Sequence, residues 1–307
     1  MKHIPFLCAA LVAVSLAACS GQNEPTNNES SEAKTVEKIL KGRFSVAKDH
    51  TVRFAQGNLQ YNGGAWQFAE EQFIYYGYQN EQAFGEGNVH DLFFFGQTGY
   101  SKSTMTNMSP DASIECSGGY NRDKKERENI DGTNWDWGVY CSISNGGNHP
   151  GLWRTLTADE WKYLLEERDN AEKLVAPARV AGKRGYLILP DNWSCPGGIA
   201  KPDYESSFDD GDNIYCYEDW LKLEDAGAVF LPCAGAQNGY NTPYYPEFTG
   251  YYWTSSVGDV KENAKATQAI QFGFRYNVST PQWKQISILT TVPWHYRCAV
   301  RLVQEID

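Results

Sequence analysis

The sequence is poor in basic residues and histidine, and it lacks the short motifs of several common enzyme classes. Lys and Arg number 27 against 38 Asp and Glu, which leaves a net charge of −11, and there are only five His. This acidity argues against a nucleic-acid partner, because phosphate binding needs a basic face. The absence of C-x-x-C, H-E-x-x-H and G-x-S-x-G argues against zinc ribbons, thioredoxin-like redox sites, zincin proteases and serine hydrolases with a nucleophile elbow.

Only one long apolar run occurs, and it lies at the N-terminus. Lys2 precedes the mostly apolar residues 4–16, and the run ends at polar Ser20. It is too short for a transmembrane helix and has the charge and composition of an export signal. Residues 16–19, Leu-Ala-Ala-Cys, resemble a bacterial lipobox, which implies cleavage after residue 18 and a lipid on Cys19. An ordinary secretory signal peptide is the alternative.

Composition also divides the rest of the chain. Residues 20–36 are polar and contain no aromatic residue, which predicts a flexible tether because such a segment cannot bury enough apolar surface to order itself. Aromatic residues become dense from Phe44 onward. We therefore expect a signal peptide at residues 1–18, a tether at 19–38 and a single folded domain at 39–307.

Six cysteines lie beyond the export segment. An even number in an oxidising compartment predicts up to three disulfides, although the sequence does not choose among the fifteen pairings. One plausible set joins the first two, the next two and the last two in chain order. The disulfide candidates are Cys116, Cys141, Cys195, Cys216, Cys233 and Cys298.

Short strands and long loops dominate the predicted secondary structure. Alternating or short apolar runs predict strands at residues 44–46, 52–54, 59–61, 66–68, 186–189, 228–231, 269–272 and 298–303. A capping box formed by Thr157 and Glu160 predicts a helix from about Ala158 to Leu174, with Trp161 in the core. A second helix is predicted from Glu218 to Asp225.

Five ordered blocks of sequence carry a family resemblance. They read WRTLTADEW from Trp153, GYLILPDNW from Gly185, GAVFLPCAG from Gly227, YWTSS from Tyr252 and YRCAVRLV from Tyr296. The series resembles the Fibrobacter succinogenes major paralogous domain family, common among Bacteroidetes surface lipoproteins. That family is similar to the C-type-lectin-like fold of formylglycine-generating enzymes and retroelement-diversified variable proteins. The resemblance implies an α+β fold, with a twisted antiparallel sheet, two helices and long ligand-facing loops.

The candidate ligand-binding residues lie in the C-terminal third. In the diversified relatives, the segment from the Trp-Ser-Ser block to the last strand forms the ligand face, while dense aromatic residues near polar amides suit sugar rings or protein partners. The predicted set is Trp253, Ser255, Ser256, Arg275, Trp283, Trp294 and His295. Further aromatic candidates are Tyr240, Tyr244, Tyr245, Tyr251 and Tyr252. Core packing is the alternative for Trp253 and His295.

The sequence supports catalysis and metal binding less than it supports ligand binding. Formylglycine-type oxidation needs two nearby cysteines, but residues 257–267 contain none, and Cys298 matches a structural cysteine of the resembling family. No cofactor is expected. Asp209, Asp210 and Asp212 could bind calcium, with a solvated acidic loop as the alternative.

The function predicted from these patterns is non-catalytic. We expect a protein anchored to the outer membrane of the cell envelope through its lipid alone, on the periplasmic or the outer face, that binds a glycan or a protein. The alternatives are an envelope enzyme acting on polysaccharide or protein, and an accessory subunit of a surface assembly such as a pilus.

Overall fold

Short strands make up most of the computed structural model, which describes residues 38–81, 89–98, 128–205, 213–238, 243–258, 266–273, 286–293 and 296–306. The strands are β1 (Phe44–Ala47), β2 (His50–Phe54), β3 (Leu59–Asn62), β4 (Ala65–Phe68), β5 (Val89–His90), β6 (Phe93–Phe94), β7 (Arg154–Thr155), β8 (Val175–Val180), β9 (Lys183–Ile188), β10 (Ile214–Tyr215), β11 (Val229–Pro232), β12 (Gln237–Asn238), β13 (Thr249–Val257), β14 (Ala266–Gly273), β15 (Ile286–Pro293), β16 (Tyr296–Cys298) and β17 (Leu302–Glu305). The α-helices are α1 (Trp137–Tyr140), α2 (Ala158–Lys162) and α3 (Tyr217–Asp225).

The predicted α+β class is confirmed. The described strands form five small sheets instead of one continuous sheet, with the orders β1-β2-β17-β7, β10-β8-β9-β11, β12-β16-β6, β13-β14-β15 and β4-β3-β5. All pairs within these sheets are antiparallel except β10 with β8. Three α-helices occur in the described part of the chain, one more than predicted.

Local sequence signals explain several of these elements. In β1 and β2, alternate residues such as Phe44 and Phe54 point inward, and their rings meet edge to face with centroids 5.1 Å apart. The β3–β4 hairpin turns at Gly63 and Gly64, whose φ angles of 57° and 122° suit glycine. Each predicted strand overlaps an observed one, although the run predicted at 298–303 is divided, since β16 ends at Cys298 and β17 begins at Leu302.

The helix predicted from Ala158 to Leu174 is shorter than expected. Its capping box is present, because the Thr157 hydroxyl accepts from the Glu160 N–H and the Glu160 carboxylate accepts from the Thr157 N–H. A π-helical turn follows α2, and Arg168 then takes an extended conformation that ends it. The buried Arg168 guanidinium donates to Asp191 (2.9 Å), so a tertiary contact accompanies the break. Trp161 is fully buried, as predicted.

Three groups of buried side chains form the interior. One surrounds Phe54 and Trp161, a second surrounds Trp137 and Trp253, and a third lies between α3 and the sheet that contains β8 and β9. The contacts group Thr35–Asp307 into one unit. None of the helices in the described ranges is long and apolar enough to span a bilayer.

The described cysteines are all free thiols. Cys233 and Cys298 are buried in different core groups, and Cys195 and Cys216 are also unbridged. The predicted disulfides between these cysteines are therefore not formed in this structure. Cys141 is buried, and its predicted partner Cys116 lies outside the described residues.

Candidate functional site

The Trp-Ser-Ser block lies in the interior. Trp253 is fully buried, its indole N–H donates to the Phe93 carbonyl (2.7 Å), and its ring meets Phe95 edge to face at 5.5 Å. The core alternative therefore describes Trp253. Its neighbours Ser255 and Ser256 are buried as well, so these three predicted residues do not form an exposed ligand face.

The two serines hold neighbouring segments together. The Ser255 N–H donates to the Leu156 carbonyl (2.9 Å), and the Ser256 hydroxyl accepts from the N–H of Ala158 (3.0 Å), the first residue of α2. Because the first N–H groups of a helix have no partner within the helix, Ser256 supplies an acceptor that α2 needs. The hydroxyl contact explains a serine at position 256 without any role in ligand binding, whereas the contact of Ser255 uses only its backbone.

Several other predicted residues lie outside the described part of the chain. They are Arg275, Trp283, Trp294 and His295 of the ligand set, Tyr240 of the further aromatic candidates, Cys19 of the lipobox, and Asp209, Asp210 and Asp212 of the acidic loop. Within the described residues, no three His, Cys, Asp or Glu side chains come together as a potential metal site.

A group of exposed aromatic side chains lies next to the buried block. Residues 243–248, with the sequence Pro-Tyr-Tyr-Pro-Glu-Phe, connect to the start of β13, and we call them the aromatic loop. Tyr244, Tyr245 and Phe248 are 40%, 65% and 38% exposed, whereas Pro243 and Pro246 are buried. The prolines thus anchor the loop while the aromatic rings face solvent.

Backbone hydrogen bonds fix the aromatic loop against residues 233–236. The backbones of Tyr244 and Ala236 exchange two hydrogen bonds, and the Glu247 N–H donates to the Cys233 carbonyl (2.8 Å). Gly235 has a φ of 78°, and a Cβ atom there would lie 2.6 Å from the Tyr244 carbonyl oxygen. Only glycine allows this close approach of the two segments.

The aromatic loop contains uncommon backbone conformations. Tyr245 has a φ of 48° and Glu247 a φ of 73°, which is unusual for residues other than Gly, Asn and Asp and carries a conformational cost. The N–H groups of Phe248 and Thr249 both donate to the Tyr245 carbonyl (3.1 and 3.0 Å). Strained residues of this kind cluster at functional sites, so the conformation of Tyr245 marks this loop as a candidate site.

Neighbouring elements extend the aromatic surface. Tyr244 stacks on Tyr296 of β16, with ring centroids 6.1 Å apart and planes 15° from parallel. On the other side, the Arg184 guanidinium of β9 lies 5.2 Å from the centroid of the Phe248 ring. Both contacts restrict the rings that they touch, and the second places a cation beside them.

The charges next to the aromatic loop include both signs. The Lys183 ammonium lies 5.3 Å from the Tyr75 ring centroid and 4.0 Å from the Glu247 carboxylate. Burial, reinforced by the nearby Glu247 carboxylate, raises the pKa of Tyr75. The Tyr75 phenol therefore stays protonated at neutral pH.

Sequence reasoning named only part of this surface. Tyr244 and Tyr245 were among the aromatic candidates, but Phe248, Arg184 and Lys183 were not. The Tyr-Tyr-Pro run between two candidate strands was the available signal. Nothing in the sequence connects this run to Arg184, some sixty residues earlier, since only the fold brings them together.

Comparison with known proteins adds no relative. No family model, no curated protein and no solved structure matches the chain. The functional argument therefore depends on the residues themselves.

Proposed function

We propose that this chain is a lipid-anchored protein of the cell envelope whose folded domain binds a glycan on the aromatic loop. The observation that carries the proposal is the conformation of this loop, which holds Tyr245 in an unfavourable backbone region with its ring turned to solvent. A solvated tyrosine needs no such arrangement for stability, whereas a binding site benefits from it.

The chemistry of the aromatic loop suits a saccharide. Flat aromatic rings pack against the apolar faces of sugars, and phenol hydroxyls supply hydrogen bonds at the edge of the same surface. Because backbone hydrogen bonds and the Tyr296 contact already restrict the loop, ligand binding would cost little further conformational entropy.

The wider assignment has support from sequence alone. The lipobox with Cys19 supports export and anchoring at the outer membrane, and the five sequence blocks support membership of the Fibrobacter succinogenes major paralogous domain family. In this proposal the domain has a C-type-lectin-like fold that binds its ligand beside, and not through, the buried Trp253 block.

A polysaccharide binding assay with matched tyrosine variants tests the proposal. The full chain, purified in detergent, would be titrated with a panel of neutral and acidic polysaccharides, with and without calcium. We expect binding that Tyr245→Ala weakens at least about tenfold, because one stacked ring is lost. Tyr140→Ala is the matched control, since Tyr140 is also exposed (53%) but lies on α1, outside the aromatic loop.

The result also separates the competing explanations. Equal binding by the Tyr245 and Tyr140 variants would contradict the proposed site. A complete lack of polysaccharide binding would reject the glycan proposal and favour a protein partner, which cross-linking in the cell envelope would identify.

A further inference from the structure

We infer that the glycan bound at the aromatic loop is acidic, and that Arg179 and Arg184 recognise its carboxylate groups. This inference rests on the proposed function, because it concerns the ligand of the same surface. It uses a different observation, namely two arginines that face each other across neighbouring strands.

The strand register places the two arginines side by side. In the antiparallel pair β8–β9, Arg179 is the direct partner of Arg184. Directly opposed residues project from the same face of a sheet, with their Cβ atoms about 5 Å apart, and like charges at such positions repel. Two guanidinium groups at one cross-strand pair repel each other, and an anion bound between them would turn this repulsion into a favourable interaction.

The surroundings leave the charge of Arg179 available. Its backbone N–H donates to the Asn213 carbonyl (2.9 Å), which fixes the strand. The side chain is half-buried, and none of the described carboxylates forms an ion pair with it. The nearby Glu247 instead lies 4.0 Å from Lys183. Arg179 thus stands as an available cation in a chain of net charge −11.

Arg184 connects this pair to the aromatic loop. Its guanidinium lies over the Phe248 ring at 5.2 Å, so one continuous surface runs from the exposed rings to the arginine pair. Guanidinium groups bind planar carboxylates through two parallel hydrogen bonds. A uronic-acid residue next to a stacked sugar would satisfy both features, with its ring on the aromatic side chains and its carboxylate between the arginines.

Polyuronates and their uncharged counterparts test the inference. The full chain in detergent would be titrated with polygalacturonate, alginate and hyaluronate, each also in a carboxyl-reduced form with the same backbone. We expect at least one acidic form to bind about tenfold more tightly than its reduced form. Arg179→Gln should abolish this preference, because it weakens binding of the acidic form far more than binding of the reduced form. Arg179→Lys should restore part of it, and the control Arg43→Gln, at an exposed site elsewhere, should change nothing.

A second measurement needs no ligand. If the two guanidinium groups repel each other, the midpoint of thermal unfolding of Arg179→Gln should exceed that of the unaltered protein at low salt, and added salt should reduce the difference. A lower midpoint for Arg179→Gln at low salt would remove the repulsion on which the inference depends.

The outcomes distinguish the inference from the proposed function. Equal affinity for acidic and reduced forms, or a preference that survives Arg179→Gln, would overturn the inference while the loss caused by Tyr245→Ala still supports glycan binding. If the protein binds none of these polymers and none of the polysaccharides in the first panel, both the inference and the proposed function are overturned.

Discussion

Two tyrosine pairs, seven residues apart, illustrate how differently similar sequences are used in this protein. Tyr252 of the second pair is fully buried, donates its hydroxyl to the Pro232 carbonyl (2.9 Å) and accepts from the Asn58 amide (3.1 Å). Tyr245 of the first pair is the most exposed large hydrophobic residue in the described part of the chain. Aromatic density therefore marked both tyrosine pairs as candidates without separating core from surface.

The backbone accounts for the difference. Tyr252 belongs to β13, which pairs with β14 on one edge and bridges Ala299 on the other, so that its side chain points into a closed interior. Tyr245 has a left-handed backbone in a loop bound to residues 233–236, and this turns its side chain outward. The same residue type thus supports folding in one place and is available for binding in the other.

The largest expected effect is a difference in the free energy of unfolding between a variant of the core and a variant of the aromatic loop. Trp253→Ala should lower the free energy of unfolding by about 3–5 kcal/mol, because it leaves a cavity beside Phe95 and removes the hydrogen bond to the Phe93 carbonyl. Tyr245→Ala should change it by less than about 1 kcal/mol, as for most exposed sites. Urea unfolding of both variants measures the difference. Similar losses would show that the loop tyrosine also belongs to the core.

A smaller effect concerns the glycine that supports the aromatic loop. Gly235→Ala should cost at least about 2 kcal/mol of stability and also weaken glycan binding, because its Cβ would collide with the Tyr244 carbonyl at a positive φ. Gly182→Ala is the matched control, since its φ of 80° is similar but no atom lies within 4 Å of the added Cβ. Gly182→Ala should lower stability by about 1 kcal/mol, the cost of placing alanine in a backbone conformation that favours glycine, and it should leave binding intact. Equal losses in both variants would show that the close contact does not matter.

The smallest effect concerns how pH changes the stability contributed by a buried and by an exposed carboxyl group. Burial raises the pKa of Asp136 to about 6 despite hydrogen bonds from Thr155 and Gly138. Its ionised form is therefore penalised in the folded state, and this penalty appears as pH rises from about 4 through about 6. The loss of unfolding free energy caused by Asp136→Asn should therefore be smaller at pH 7 than at pH 4, by on the order of 2 kcal/mol.

Glu305 should respond with the opposite sign. Partial burial raises the pKa of Glu305, but hydrogen bonds from Arg154 and His50 outweigh it and the net shift is downward. Its contribution is present above the pKa of an unfolded Glu and disappears as pH falls. The stability lost in Glu305→Gln should therefore grow as pH rises, which urea unfolding at several pH values measures. Parallel profiles for the two variants would contradict these opposite shifts.

Much of the local structure could be predicted from sequence. The capping box at Thr157 and the helix α3 each depend on a few neighbouring residues, and both are confirmed. The missed strand β8 contains Pro177, which normally argues against a central strand. It is tolerated because the bonds between β8 and β10 involve only residues after the proline.

The candidate site could be predicted only in part. The Trp253 block was chosen through a family resemblance, and burial then removed it from the exposed surface. Phe248 and Arg184 could not be predicted as site residues because neither belongs to a recognisable sequence motif. Their contact joins residues far apart in sequence, and no local pattern encodes such a contact.

The sequence by itself determined the acidic charge, the α+β class and the capping box that begins α2, because each of these depends on composition or on residues close together in the chain. The export signal and its lipobox cysteine stay predictions from sequence. Only the tertiary structure decided which aromatic rings are exposed, which backbone holds Tyr245 outward and which arginines oppose each other. Exposure and strand register are set by packing between distant segments, so residues of the same type seven positions apart could be assigned to the core and to the surface only after the chain had folded.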